Sequence, residues 1–280
     1  MSSLSEKTSF SPRKPAVAGM FYPREKNKLQ SDLDNMFANV TSKRVSGKVF
    51  GIVAPHAGYM YSGYVAAEAY NQLADLSYDT VAVLAPSHRD YFQGASVYTG
   101  DYMTPLGAVP VDKKTCDQLL RYAPLIKATE MGHRDEHALE VQLPFLQVIL
   151  KDFNLVPIVI GTQDHETCFR LGEILGEVLQ GTNSLVVASS DLSHFYSQEK
   201  ANRLDGLVVK DIENFDENKF FDDIQNRKCE ACGAGTIVSA IIAAKHMGAT
   251  SSKVLSYHTS GEVSGDYEEV VGYLSGVFYN

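Results

Sequence analysis

Three of the chain's eight histidines stand in short, turn-forming motifs: His56 in Ala-Pro-His-Ala-Gly, His88 in Ala-Pro-Ser-His, and His194 in Ser-Ser-Asp-Leu-Ser-His. Each motif follows a β-branched run, which predicts each histidine just beyond the carboxyl end of a strand. In an open α/β sheet, ligands bind in the crevice outside those carboxyl ends. The three histidines can therefore meet in space although they come from opposite halves of the chain. Neutral imidazole is the commonest protein ligand for transition metals. Two imidazoles and one anionic donor on an open face leave positions free for substrate, oxygen or water. Asp191, Glu230 and Cys232 are candidates for the anionic donor. Cys232 precedes a glycine-containing helix start (CGAGTIV), and a helix N-terminus favours the thiolate. The remaining histidine would be free for general acid/base work, with Asp191 orienting it or stabilising its charge.

Other motifs point elsewhere or nowhere. Cys229 and Cys232 form a CxxC pair, but it sits late in the chain, unlike a thioredoxin-type dithiol. A structural zinc site would need a second pair of ligands at short spacing, and none is present. Cys116 and Cys168 read as small hydrophobes in helices. His133, His165, His246 and His258 have no motif around them. The stretch from Asp135 to Pro144 reads as an acidic helix start capped by Asp135, with Glu136 at its positive end, and Pro144 kinking or ending the helix. His137 falls in that capping region and reads better there than as a cleft residue. Tyr59, Tyr61 and Tyr64 would line a pocket or pack beside the sheet. No GxGxxG, GxxxxGK[ST], GxSxG or HExxH motif is present, so nucleotide-binding, nucleophile-elbow and zinc-protease readings lack their fingerprints.

The elements that must position these residues are legible as a recurring unit. Short, continuously hydrophobic runs over 48–54, 80–85, 154–160 and 185–188 end in small or turn-forming residues, as expected for strands buried on both faces. Helical patterns follow from near Ser62, over 164–179, and over 198–213, 216–226 and 233–247, with further strands at 254–257 and 270–279. This alternation predicts one α/β domain with a mainly parallel central sheet flanked by helices. It would occupy residues 15–280, after a polar flexible leader over 1–14. The chain has 280 residues and a formal charge of −9, from 25 basic against 34 acidic side chains. That balance argues against a nucleic-acid partner, which needs a basic patch. The longest uncharged apolar stretch, Thr236 to Ala244, is far short of the roughly 20 residues that span a bilayer. With no signal-peptide pattern and too few cysteines for a disulfide scaffold, a cytoplasmic location is expected.

At these residues the sequence resembles the Memo family. The matching stretches are PAVAGMFYP (15–23), APHAGYMYSG (54–63), APSH (85–88), YMTPLG (102–107), EHALEVQLPF (136–145), SSDLSHF (189–195) and EACGAG (230–235). Together they cover nearly the whole chain after the leader. The resemblance implies a fold like that of class III extradiol dioxygenases, whose iron is held by two histidines and a carboxylate. It implies His56, His88 and Cys232 as the metal-binding set, with Asp191 and His194 as the other residues of a vestigial active-site pocket. Where the dioxygenases use a carboxylate, this sequence offers Cys232, a softer donor, so ring-cleaving activity does not carry over with the fold. The expected cofactor is one transition-metal ion, Fe(II) or copper rather than Zn(II), in a metal-dependent redox role. The alternative is a non-catalytic module that binds a peptide or protein partner in the same cleft, in signalling or cell motility. In microbes, the resemblance implies an AMMECR-type protein and a radical S-adenosylmethionine protein as associates.

Overall fold

A computed structural model describes residues 10–280 of the chain. Its strands are β1 (Val49–Ala54), β2 (Thr80–Pro86), β3 (Ala95–Val97), β4 (Tyr102–Thr104), β5 (Gly107–Val109), β6 (Ile126–Ala128), β7 (Asn154–Ile160), β8 (Ser184–Ser189), β9 (His194–Tyr196), β10 (Ser251–Thr259) and β11 (Val270–Tyr279). Its α-helices are α1 (Lys26–Ala38), α2 (Tyr59–Tyr70), α3 (Lys113–Leu119), α4 (Leu143–Leu150), α5 (His165–Leu179), α6 (Gln198–Glu213), α7 (Glu217–Gln225), α8 (Ala234–Met247) and α9 (Gly261–Ser264).

The four continuously apolar runs become β1, β2, β7 and β8, and these strands are neighbours at the centre of the sheet. β1 pairs with β8, β8 with β2, and β2 with β7, all parallel. Every residue of β1, β2 and β8 is buried, which is why none of them alternates in sequence. Helices cover both faces. Leu171, Ile174 and Leu175 of α5 pack with Ile237, Val238 and Ile241 of α8 in one core cluster. Leu29 and Leu33 of α1, Tyr70 of α2 and Phe145 of α4 belong to the other.

The sheet is mixed rather than mainly parallel, because β11 and β3 each join the central strands antiparallel, while the edge pair β3–β6 is itself parallel. Its order is β10-β11-β1-β8-β2-β7-β3-β6, with β9 paired to β11 beside that path. β11 runs antiparallel to β1, β10 to β11, and β3 to β7. The chain between β10 and β11 holds only the four-residue α9, too short for the crossover that a parallel pair requires. β3 and β6 are three residues each, too short for periodicity to mark.

Two further expectations change. The segment from Asp135 carries no α-helix until α4 begins at Leu143, with Pro144 in its first turn. Proline suits that position because the first-turn N–H has no intrahelical partner. Asp135 is exposed and pairs with Arg134 instead of capping. The second change concerns the leader, of which residues 1–9 lie outside the described residues. Arg13, within its bounds, is a buried residue of the folded domain and donates to Glu140 Oε2 at 2.5 Å.

The topology already groups the chemistry. His56, Asp191 and His88 each stand two positions beyond the last residue of a strand (Ala54, Ser189 and Pro86), and those strands, β1, β8 and β2, are adjacent.

Candidate metal centre

One donor atom from each of His56, His88 and Cys232 lies within 4.8 Å of the other two. His56 is buried, Cys232 partly buried and His88 exposed, so the cluster opens to solvent on the His88 side. Cys232 arrives from far along the chain because the start of α8 packs directly on the end of β8. Gly233 makes that approach feasible: a Cβ there would lie 2.3 Å from the Ser189 carbonyl oxygen. Its N–H donates to Ser190 Oγ at 2.9 Å, and Cys232 N–H donates to the Asp191 carbonyl at 3.1 Å. Cys232 Sγ then sits 3.1 Å from His56 Nε2.

Buried hydrogen bonds decide which nitrogen of His56 carries the proton. Gln142 Nε2 donates to the Pro55 carbonyl and to Ser189 Oγ, while Tyr70 OH donates to Gln142 Oε1. The Ser189 hydroxyl spends its one proton on the Ala138 carbonyl at 2.7 Å. Its oxygen must therefore accept from His56 Nδ1–H at 2.9 Å, which leaves the Nε2 lone pair facing Cys232. His88 reaches the same tautomer by a different route. Its Nδ1 lies 3.0 Å from Glu136 Oε1, and a carboxylate can only accept.

Burial lowers the His56 pKa well below the ordinary histidine value, and the neighbouring His88 and His137 lower it further. The ring is therefore neutral, as a ligand must be. Burial, then the charge of Asp191, pushes the Cys232 thiol up and outweighs the lowering by the Asp191 and Gly233 N–H groups. Metal and proton compete for that sulfur, and the thiol proton lies between Sγ and a lone pair on His56. Two neutral imidazoles and a soft sulfur donor, converging on an open face, fit a transition-metal ion.

Residues 13–277 match the family model described as Memo-like protein. A MEMO1 family protein of Methanobrevibacter smithii is 38% identical, covering 95% of this chain and 99% of its own length. Another from Methanosarcina mazei is 39% identical, covering 94% and 97% respectively. The chain belongs to the Memo family. Among solved structures, an uncharacterized Escherichia coli K12 protein aligns with a TM-score of 0.49 at 11% identity, covering 81% of this chain and 99% of that one. That likeness adds nothing to the assignment.

Around the three donors, this Memo-family chain places the other residues singled out from sequence. Asp191 is buried, with Oδ1 accepting from His56 N–H at 2.7 Å and Oδ2 lying 3.9 Å from His56 Nε2. Burial raises its pKa, against the pull of the His56 N–H bond and of His194. His194, the first residue of β9, donates from Nδ1 to the Leu192 carbonyl at 2.8 Å, since a carbonyl only accepts. Glu230 lies apart from the donor set and accepts from Tyr196 OH. Cys229 is a free, buried thiol, as are Cys116 in α3 and Cys168 in α5. Tyr59 is buried, and Tyr61 and Tyr64 are exposed.

Sequence reasoning undervalued Glu136 and His137. The His137 ring lies 4.8 Å from that of His88 and 5.3 Å from that of His56. Glu136 is buried beneath both His88 and His137. Burial opposes its charge, but hydrogen bonds from His137 and His88 prevail and hold the carboxyl well below its usual range. The available signal was Pro144: read as a first-turn proline, it starts α4 at Leu143 and leaves 135–139 as a loop, free to enter the cleft, ahead of a 3-10 turn over Glu140–Gln142.

Proposed function

We propose that this Memo-family protein is a metal-dependent redox protein in which His56, His88 and Cys232 hold one transition-metal ion, Fe(II) or copper in preference to Zn(II). The observation that carries the reading is the convergence of three donors within 4.8 Å. A two-histidine, one-thiolate set suits copper and iron, and a bound ion with an open position supplies electron-transfer or oxygen chemistry. The remaining residues handle protons. The Nδ1–H of His194 is committed to the Leu192 carbonyl, so its Nε2 is the atom that takes or delivers one. Asp191 anchors the His56 backbone through Oδ1, and Oδ2 remains the oxygen that can hold a proton beside the site. A fold of class III extradiol dioxygenase type belongs to this reading, although the thiolate separates its chemistry from theirs.

The test is metal analysis of untagged protein, followed by anaerobic titration with Fe(II), Cu(I) and Zn(II), repeated on His56→Ala and Cys232→Ser. About one equivalent of iron or copper, lost in both folded variants, is the expected result. Undiminished binding in either variant overturns the assignment and leaves the cleft as a polar recognition pocket for a peptide or protein partner.

A further inference from the structure

We propose that Glu136 is a positioning residue for this centre, a single buried carboxylate that fixes the tautomer and the orientation of both His88 and His137. Glu136 is 1% exposed, yet both of its carboxylate oxygens meet N–H donors. Oε2 accepts the backbone N–H of His88 at 2.6 Å. Oε1 accepts the backbone N–H groups of His137 and Ala138 at 2.8 and 2.9 Å. The same Oε1 faces the ring Nδ1 of His88 at 3.0 Å and the ring Nδ1 of His137 at 3.1 Å.

Two consequences follow from chemistry alone. A carboxylate accepts and does not donate, so both rings carry their proton on Nδ1 and both keep the lone pair on Nε2. Glu136 also grips the backbone and the ring of each histidine, so it clasps the loop after β2 to the loop before α4. His137 is held between that clasp and the Phe21 ring, 4.8 Å away, beside both ligand histidines. A carboxylate behind a ligand imidazole orients the ring and raises its basicity; here one carboxylate serves two rings.

His88, Glu136 and His137 also form a triplet close enough to hold an ion themselves. Both Glu136 oxygens already meet N–H donors, which favours positioning over ligation. Glutamine is the informative replacement, because its amide turns a donor toward N–H groups that need an acceptor.

The affinity arm of the test rests on the metal reading above; the tautomer arm does not. Long-range 1H–15N NMR on protein without added metal, at a pH where imidazoles are neutral, should report Nδ1–H on His88 and His137. Glu136→Gln should mix the tautomers of at least one ring. It should also weaken Co(II) binding, followed by the thiolate–Co(II) absorption band, by about 10- to 100-fold while the protein stays folded. Nε2–H on either ring of the wild type overturns the proposal, and so does unchanged Co(II) affinity in a folded Glu136→Gln. A second Co(II) equivalent lost only in that variant would make Glu136 a ligand and overturn it too. Because the wild-type tautomers need no variant, a misfolded Glu136→Gln does not shelter the idea. No Co(II) binding by the wild type would strike the metal reading alone.

Discussion

Replacing Arg13 with alanine is expected to cost about 4 kcal/mol of stability, within the roughly 3–5 kcal/mol typical of breaking a buried ion pair on one side. The Arg13 and Glu140 side chains are 4% and 0% exposed. The guanidinium donates to Glu140 Oε2 at 2.5 Å, to the His133 carbonyl at 2.7 Å and to the Glu136 carbonyl at 2.6 Å. After truncation, Glu140 keeps the Ala16 and Val17 N–H groups and Tyr22 OH, which tempers the loss. The two carbonyls keep nothing from this side chain, and each unmet buried acceptor costs about 1–3 kcal/mol. Equilibrium urea unfolding with an unchanged m-value reads the difference. Arg13→Lys should recover only part of it, because an ammonium keeps the charge but not the planar fork that serves Glu140 and the backbone carbonyls at once. A double-mutant cycle with Glu140→Gln isolates the pair from the carbonyl contacts. A loss below about 1 kcal/mol, the level of an exposed pair, would refute the view that the segment around Arg13 staples the loop carrying Glu136 and His137.

Two further perturbations test the framework. Gly233→Ala would set a Cβ 2.3 Å from the Ser189 carbonyl oxygen and 2.8 Å from Ser190 Cβ, a clash with backbone that costs about 1–3 kcal/mol. It should shift the start of α8 and weaken the thiolate–Co(II) band; a folded variant with an intact band would remove Gly233 from the account of how Cys232 is placed. His133, bonded to Ser96 and Tyr102, is lowered to about 3, chiefly by burial, whereas in the unfolded chain it titrates near 6.5. Between those values the unfolded chain binds a proton that the folded chain refuses, so stability rises with pH and is lost as pH falls below about 6.5. The loss approaches about 1.4 kcal/mol per pH unit until about pH 3. His133→Phe should flatten the dependence of the urea midpoint on pH in that window, and an equally steep acid loss would contradict the assignment.

The four central strands were legible because burial on both faces leaves a local mark, an apolar run that stops at turn-forming residues: Pro-His after β1, Pro-Ser-His at β2, Gly-Thr after β7 and Ser-Ser-Asp at β8. Their carboxyl ends then had to share one edge, which brings His56, His88 and Asp191 together; family likeness singled out Cys232. The strands outside that centre left no such mark: β3 and β6 are too short for a period, and the direction of β11 depends on the length of the connection before it. The segment 135–142 was misread because a His beside a Glu looks the same in a helix cap and in a cleft loop. Only the folded chain sets one carboxylate beneath two imidazoles from separate loops. Protonation divides the same way. Local sequence offered a helix N-terminus to lower the Cys232 thiol, but burial, a property of the whole packing, raised it. Residue types and their order along the chain determined which groups could reach the site. The tertiary structure decided which nitrogen of each ring faces inward and where each proton rests, because those depend on acceptors distant in sequence.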